Sequence, residues 1–124
     1  MARVLVVEDE PEVLATLCDM LAQGGHETLS ARVGLAALED VRNESYDLLV
    51  TDIVMREVDG WQVIRWLRAN RPAIPVIAIS GGARALHPET ALNLSKAYGA
   101  HRVLTKPVSQ AELLQAIAEL LRSG

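Results

Sequence analysis

The chain has 124 residues, the size of one domain that can bury a core without disulfides or metal staples. Its net charge of −4 excludes the basic surface that general nucleic acid binding needs, and its single cysteine excludes an internal disulfide. Because no apolar run is long enough to cross a bilayer and no export signal is visible, we expect one cytoplasmic domain over residues 1–124, without direct contact to nucleic acid or membrane.

Short apolar runs alternate five times with stretches of helical periodicity along the chain. The predicted strands are Arg3–Val7, Glu27–Ala31, Tyr46–Asp52, Ile74–Ser80 and His101–Thr105. The first strand is rich in β-branched residues and continuously apolar, as a strand covered on both faces is. This alternation predicts an α/β domain with a five-stranded parallel sheet and helices on both faces. Right-handed crossovers favour the flavodoxin-like strand order 2-1-3-4-5.

An amphipathic helix is predicted after each strand. The expected buried stripes are Leu14, Leu17, Cys18 and Leu21 in the first helix, Leu35, Leu38 and Val41 in the second, Val63, Ile64 and Leu67 in the third, Ala91, Leu92 and Ser95 between Pro88 and Gly99 in the fourth, and Leu113, Leu114, Ile117, Leu120 and Leu121 in the last. Pro11 suits the first turn of the first helix. Ser109 and Glu112 match a capping box, which predicts where the last helix begins.

Polar side chains stand at the carboxyl ends of four predicted strands. Glu8 and Asp9 follow the first strand, Asp52 and Ser80 end the third and fourth, and Lys106 follows the fifth. Ligands of open α/β sheets bind at this edge, so we expect these side chains to converge. Carboxylates brought close together repel by roughly 4 kcal/mol per pair at an effective dielectric near 20. A hard divalent cation with oxygen ligands offsets that repulsion, which favours Mg²⁺ over zinc.

Beside such a cation, Asp52 can act as a nucleophile toward phosphorus, since a carboxylate can form an aspartyl phosphate. Lys106 offers a positive charge to a phosphate oxygen, and Ser80 offers a hydroxyl to another. Taken singly, each motif also fits an ordinary role as a helix cap, a turn or a loop hydroxyl. Those ordinary roles would require four coincidences at one sheet edge.

Four motifs in chain order resemble the response regulator receiver family of two-component signalling, and the resemblance covers the whole chain. They are Val-Val-Glu8-Asp9-Glu-Pro, Leu-Leu-Val-Thr-Asp52 followed by Asp59-Gly60, Ile-Ala-Ile-Ser80, and Leu-Thr-Lys106-Pro107. The resemblance implies that Asp52 accepts a phosphoryl group from a histidine kinase or histidine phosphotransfer protein, and that Ser80 and Lys106 bind this group. It assigns Mg²⁺, or Mn²⁺ in its place, to Glu8, Asp9, Asp52 and the backbone carbonyl of Val54.

The same resemblance implies a signalling domain rather than an enzyme. Such a domain assists its own phosphorylation and dephosphorylation, and it signals through altered contacts with a downstream protein, alone or as a homodimer. The Lys106-Pro107 bond is similar to one that is commonly cis in the family.

Several positions depart from the family pattern. Arg56 stands where a proline is frequent, and the stretch between the fourth and fifth strands is longer than usual. Val103 stands where an aromatic residue usually acts as a rotating switch, so that mechanism is not carried over. Val54 and Gly82 occupy positions that can orient an attacking water but carry no polar side chain. We therefore expect slow hydrolysis of the phosphoryl group.

Three alternative functions share parts of this pattern. A haloacid-dehalogenase-like phosphatase also forms an aspartyl phosphate, but it needs a second acid where Val54 stands. A flavin-binding flavodoxin-like protein needs a phosphate loop after the first strand, where Glu8-Asp9-Glu10 would repel phosphate. A pseudo-receiver adaptor, which is not phosphorylated, should lack one of the acids, and this sequence lacks none.

Overall fold

The computed structural model describes residues 2–53, 55, 59–81, 93 and 99–123. The strands are β1 (Arg3–Val7), β2 (Glu27–Ser30), β3 (Leu48–Asp52), β4 (Val76–Ser80) and β5 (Arg102–Thr105). The helices, numbered along the described residues, are α1 (Pro11–Gln23), α2 (Ala36–Asn43), α3 (Gly60–Asn70) and α4 (Gln110–Ser123). The helix predicted between Pro88 and Gly99 lies outside the described residues apart from Asn93.

The five strands form one parallel sheet in the order β2-β1-β3-β4-β5, which confirms the predicted topology. The three central strands are buried along almost their whole length, whereas the edge strands β2 and β5 are partly exposed. This division follows from the sequence, because a central strand of a parallel sheet needs apolar side chains on both faces.

The sheet separates two apolar layers, and two of the described helices pack in each layer. One layer holds α2 and α3, whose buried residues are Ala37, Val41, Val63, Ile64 and Leu67. The other holds α1 and α4, whose fully packed residues include Leu17, Leu21, Leu113 and Ile117. Successive strand residues point to opposite faces, so Leu5 faces the first layer while Val4 and Val6 face the second. The prediction of helices on both faces is confirmed.

The predicted burial of Leu35 is wrong. Leu35 precedes the first residue of α2 and is 67% exposed. The turn at Gly34, with φ of 68°, carries the chain into the helix, so Leu35 lies ahead of the helical stripe that contains Ala37 and Val41. Arg32 fixes the preceding loop, because its backbone N–H and its guanidinium both donate to the Asp40 carboxylate.

Four strand boundaries differ from the predicted ones. β2 ends at Ser30 instead of Ala31, and β5 begins at Arg102 instead of His101. β3 begins at Leu48 instead of Tyr46, because the Tyr46 hydroxyl donates to the Val41 carbonyl at 2.6 Å and holds that residue against α2. β4 begins at Val76, since Pro75 has no N–H to contribute to the sheet. The predicted cap of α4 is confirmed, as the Glu112 N–H donates to Ser109 Oγ at 3.3 Å.

Two histidines bind the amino ends of strands at the edge of the sheet opposite the acidic residues. Nδ1 of His26 accepts a hydrogen bond from the Ala2 N–H at 3.2 Å, and Nδ1 of His101 accepts one from the Val76 N–H at 3.0 Å. Burial, together with nearby positive charge, lowers the pKa of both imidazoles below the ordinary value. The neutral form of each ring is therefore part of the fold.

Among the described helices, we find none that combines the length and the apolar character needed to cross a membrane.

Candidate functional site

The predicted polar residues meet at the carboxyl edge of the sheet. Asp52 and Ser80 are the last residues of the neighbouring strands β3 and β4, and Lys106 follows β5. The register pairs Asp52 with Ile79 and Ser80 with Thr105, which sets these strand ends side by side. Residues separated by more than fifty positions in sequence are therefore neighbours in space.

Lys106 is the centre of this arrangement. Its Nζ donates a hydrogen bond to Asp52 Oδ2 at 3.0 Å and lies 3.1 Å from Glu8 Oε1. The Glu8, Asp52 and Lys106 side chains are only 0%, 3% and 11% exposed, so these charges interact with little screening by water. A third carboxylate, that of Glu10, lies 3.5 Å from the same ammonium group.

Glu10 is a residue that the sequence analysis did not assign to the site. One carboxylate oxygen from each of Glu8, Asp9, Glu10 and Asp52 lies within 4.8 Å of the others. The available signal was its place directly after the Glu8-Asp9 pair and at the N-cap of α1, where Glu is an unusual cap.

Burial raises the pKa of Glu8 to about 7, and the charge of Asp52 acts in the same direction. The Glu10 N–H, which donates to Glu8 Oε2 at 3.0 Å, and Lys106 oppose this rise. For Lys106 itself, burial disfavours the charged form, but Asp52 and Glu8 outweigh it and leave the pKa of the ammonium raised. The site thus holds a firmly protonated lysine beside Glu8, whose charged form is disfavoured by burial.

The donor set fits a hard divalent cation. Four carboxylates face a single ammonium group at this edge of the described structure, so negative charge is in excess. Glu8 Oε1 is buried; its ion-pair partner is the Lys106 ammonium at 3.1 Å, and within the described residues it accepts no further hydrogen bond. A cation with oxygen ligands would satisfy this oxygen and neutralise the excess charge.

Ser80 is buried and its carbonyl accepts a hydrogen bond from the Lys106 N–H at 2.8 Å. This bond joins the end of β4 to the residue that carries the ammonium group. Val54, whose carbonyl was assigned to the metal, lies outside the described residues, as do Arg56 and Gly82.

Gly60 packs the start of α3 directly behind Asp52. Its N–H donates to the Ile53 carbonyl at 2.8 Å, and Asp59 caps the helix by accepting from the Trp61 N–H. A Cβ at Gly60 would lie 2.7 Å from Ile53 Cα and would overlap the backbone carbonyl oxygen of Asp52. Only glycine allows the helix to approach the strand end this closely.

Comparison with known families decides which class of protein carries this site. The profile of the response regulator receiver domain matches residues 4–118. The chain belongs to this family. Its members are signalling domains, and the match gives no support to a haloacid-dehalogenase-like phosphatase or to a pseudo-receiver adaptor. The receiver fold is also that of the solved structures it resembles.

Three relatives show the extent of the similarity. Protein PilH of Pseudomonas aeruginosa is 37% identical over 123 residues, which make up 98% of each chain. The transcriptional regulatory protein CusR of Escherichia coli is 32% identical over 122 residues, but these cover only 52% of CusR. The Francisella response regulator 1452 receiver domain superposes with a TM-score of 0.84 at 28% identity, covering 99% of this chain and 98% of that one.

Two family features can be compared with the structure. The Lys106-Pro107 bond is cis, as the resemblance predicted. Val103, at the position of the usual aromatic switch, is half-buried and packs against the layer that holds α2 and α3.

Proposed function

We propose that this receiver domain, spanning residues 1–124, accepts a phosphoryl group on Asp52 in a reaction that requires Mg²⁺. The observation that carries the proposal is the contact between the Lys106 ammonium and Asp52 Oδ2 at 3.0 Å, within a group of four carboxylates at the carboxyl edge of the sheet, of which those of Glu8 and Asp52 are buried. Among the described residues, this contact joins a carboxylate nucleophile to a fixed positive charge.

Asp52 would attack the phosphorus atom of the donor through a carboxylate oxygen. The new bond is Asp52 O–P, the bond broken is that between phosphorus and the donor nitrogen or oxygen, and the donor atom leaves with the electron pair. Lys106, released from Asp52, would hold an oxygen of the transferred group, and Ser80 would donate its hydroxyl to another. Phosphoryl transfer requires mainly that the protein position the reacting groups and compensate their charge.

Glu8, Asp9 and Asp52 would hold the metal ion, with the Val54 carbonyl as a further proposed ligand. When bound, Mg²⁺ neutralises charge on the transferring oxygens, and Mn²⁺ would serve in the same way. The fit rests on an all-oxygen donor set and on the buried Glu8 Oε1, which beyond its ion pair with Lys106 accepts no hydrogen bond within the described residues.

The phosphodonor would be a histidine kinase or a histidine phosphotransfer protein, and a downstream protein would recognise the phosphorylated form. An apolar groove of about 570 Å³ opens next to Lys106. Its lining includes Val13, Leu17 and Met20 of α1 together with Pro107 and Val108. A donor protein must cover the surface around Asp52 to deliver its phosphoryl group, so we place its apolar contact in this groove.

The central test is phosphorylation by acetyl phosphate, followed by intact mass. Wild type should gain one phosphoryl group with Mg²⁺ and none in EDTA, and Asp52→Asn should gain none under either condition. Asp19→Asn makes the same isosteric change on the exposed side of α1 and should behave as wild type. A mass gain that persists in Asp52→Asn would show that another residue is the acceptor.

The groove is tested separately with a phosphorylated histidine phosphotransfer domain that phosphorylates wild type. Met20→Glu should slow this transfer about fivefold or more, since it places a charge on an apolar contact, while Met20→Leu should not. Both variants should react with acetyl phosphate at the wild-type rate. An unchanged rate of protein-to-protein transfer in Met20→Glu would rule out this docking surface.

A further inference from the structure

Glu10 occupies the N-cap of α1 without capping it. Its backbone is extended, with φ of −91° and ψ of 114°, and its side chain makes no hydrogen bond to the helix. Ser, Thr, Asp and Asn fill this position because their short side chains reach the free N–H groups of the first turn. The longer Glu10 side chain turns instead toward the site, where its carboxylate oxygen lies 3.5 Å from Lys106 Nζ.

Glu8, Asp9, Glu10 and Asp52 form the acidic group of this site, and Glu10 is its solvent-side member. Its side chain is 55% exposed, whereas that of Glu8 is fully buried and that of Asp52 is 3% exposed. A phosphodonor that approaches from solvent therefore meets the charge of Glu10 before it reaches Asp52. The buried Glu8 Oε1, which takes part in no hydrogen bond within the described residues, marks the interior of the same site as a place for a cation.

Glu10 adds a negative charge at the mouth of the site. Its carboxylate belongs to the same group as those of Glu8, Asp9 and Asp52 and lies 3.5 Å from the Lys106 ammonium, so an incoming phosphate meets its charge. Glu10 also competes with an incoming phosphate for the Lys106 ammonium. Both effects grow with the negative charge of the donor, because the repulsion scales with the product of the two charges.

We propose that Glu10 is a specificity-determining residue that selects phosphodonors by charge, disfavouring a donor with two negative charges relative to a donor with one. This inference rests on the proposed role of Asp52 as phosphoacceptor. In both reactions Asp52 gains an O–P bond. Acetyl phosphate is a dianion at neutral pH; its P–O bond to the acetyl group breaks and acetate is the leaving group. Phosphoramidate carries one net negative charge because its nitrogen is protonated; its P–N bond breaks and ammonia is the leaving group.

The test compares Glu10→Gln with Glu12→Gln, which removes a charge from the exposed first turn of α1 outside the acidic group. Mg²⁺ dissociation constants are first measured by calorimetry, and phosphorylation rates are then measured at saturating Mg²⁺ and equal ionic strength. In Glu10→Gln the ratio of the acetyl phosphate rate to the phosphoramidate rate should rise roughly two- to fivefold, the range for a partly exposed charge pair. The Mg²⁺ dissociation constant should rise by a similar factor, and Glu12→Gln should change neither quantity.

A merely structural effect of Glu10 would slow or speed both donors alike, so an unchanged ratio with active protein overturns this inference and leaves the role of Asp52 intact. An unchanged Mg²⁺ dissociation constant would equally contradict the placement of its charge at the site. If wild type takes up phosphoryl groups from neither donor, the proposed function fails and the inference fails with it.

Discussion

Replacement of Lys106 by Met should destabilise the domain, and the size of the loss should depend on Mg²⁺. The ammonium lies 3.0 Å from Asp52 Oδ2, a separation at which the attraction is about 5 kcal/mol at an effective dielectric near 20. Desolvation of the buried ions offsets part of this attraction. Met keeps the aliphatic stem but leaves Glu8 and Asp52 buried without their cation, so the free energy of unfolding in EDTA should fall by about 3 kcal/mol.

Mg²⁺ should recover much of that loss, because the divalent cation and the ammonium compensate the same carboxylates. The variant should bind Mg²⁺ more tightly than wild type, and an ion present at 100 times its dissociation constant adds about 2.7 kcal/mol to the stability of the native state. Urea unfolding followed by tryptophan fluorescence, in EDTA and in Mg²⁺, measures both effects.

Arg122→Met provides the control, since Arg122 is exposed on α4. This variant should shift the free energy of unfolding by less than about 0.5 kcal/mol in either condition. If Lys106→Met lost the same stability with and without Mg²⁺, or none at all, the lysine would not be compensating the acidic group and the reasoning would fail.

Three further predictions concern the support of Asp52, the histidines and the lifetime of the phosphorylated state. Gly60→Ala should lower the free energy of unfolding in urea by roughly 1–3 kcal/mol and slow phosphorylation by acetyl phosphate, because its Cβ would overlap the Asp52 carbonyl. His26 and His101 have pKa values lowered from 6.5 in the folded state, so their contribution to stability is present above pH 6.5 and is lost as pH falls below it through the lowered values. Urea unfolding at several pH values should therefore show a steeper acid loss in wild type than in the His26→Gln, His101→Gln double variant. Phosphorylated protein freed of donor should keep its added mass for far longer than minutes.

Each of these three predictions has an outcome that opposes it. Wild-type stability in Gly60→Ala would mean that α3 can move away from the strand end at little cost. A parallel decline of wild type and double variant below pH 6.5 would place the acid sensitivity in other groups. A half-life of seconds for the phosphoryl group would contradict the expectation drawn from the apolar residues Val54 and Gly82.

Periodicity and strand chemistry were sufficient to predict the sheet. The apolar, β-branched run of β1 and the fully buried runs of β3 and β4 identify central parallel strands, and the crossover rule then restricts their order. Leu35 was misplaced because the apolar spacing does not show where a turn ends and a helix begins. The boundary depends on Gly34 and on the pairing of Arg32 with Asp40, which join residues that the helical pattern does not relate.

Convergence of Asp52 and Lys106 could be predicted because parallel topology alone brings strand ends together. The part played by Glu10 could not, because it depends on whether a side chain at a helix cap turns back to the helix or toward Lys106. The hydrogen bonds of His26 and His101 could not be predicted from the sequence either, because each joins a histidine to a strand end far away in sequence.

The contacts of Lys106 with Asp52, Glu8 and Glu10 show which side chains would respond to a change of charge at Asp52. A phosphoryl group on Asp52 carries more negative charge than the carboxylate that it replaces, so it would draw the ammonium away from Glu8 and Glu10. The Lys106 backbone would stay fixed, because its N–H is bonded to the Ser80 carbonyl. The change would therefore fall on the side chain of Glu10, at the solvent-facing start of α1, and on the surface of the groove that the Lys106 stem helps to line. Since Val103 cannot act as an aromatic switch, this redistribution of contacts is the response to phosphorylation that the described residues support.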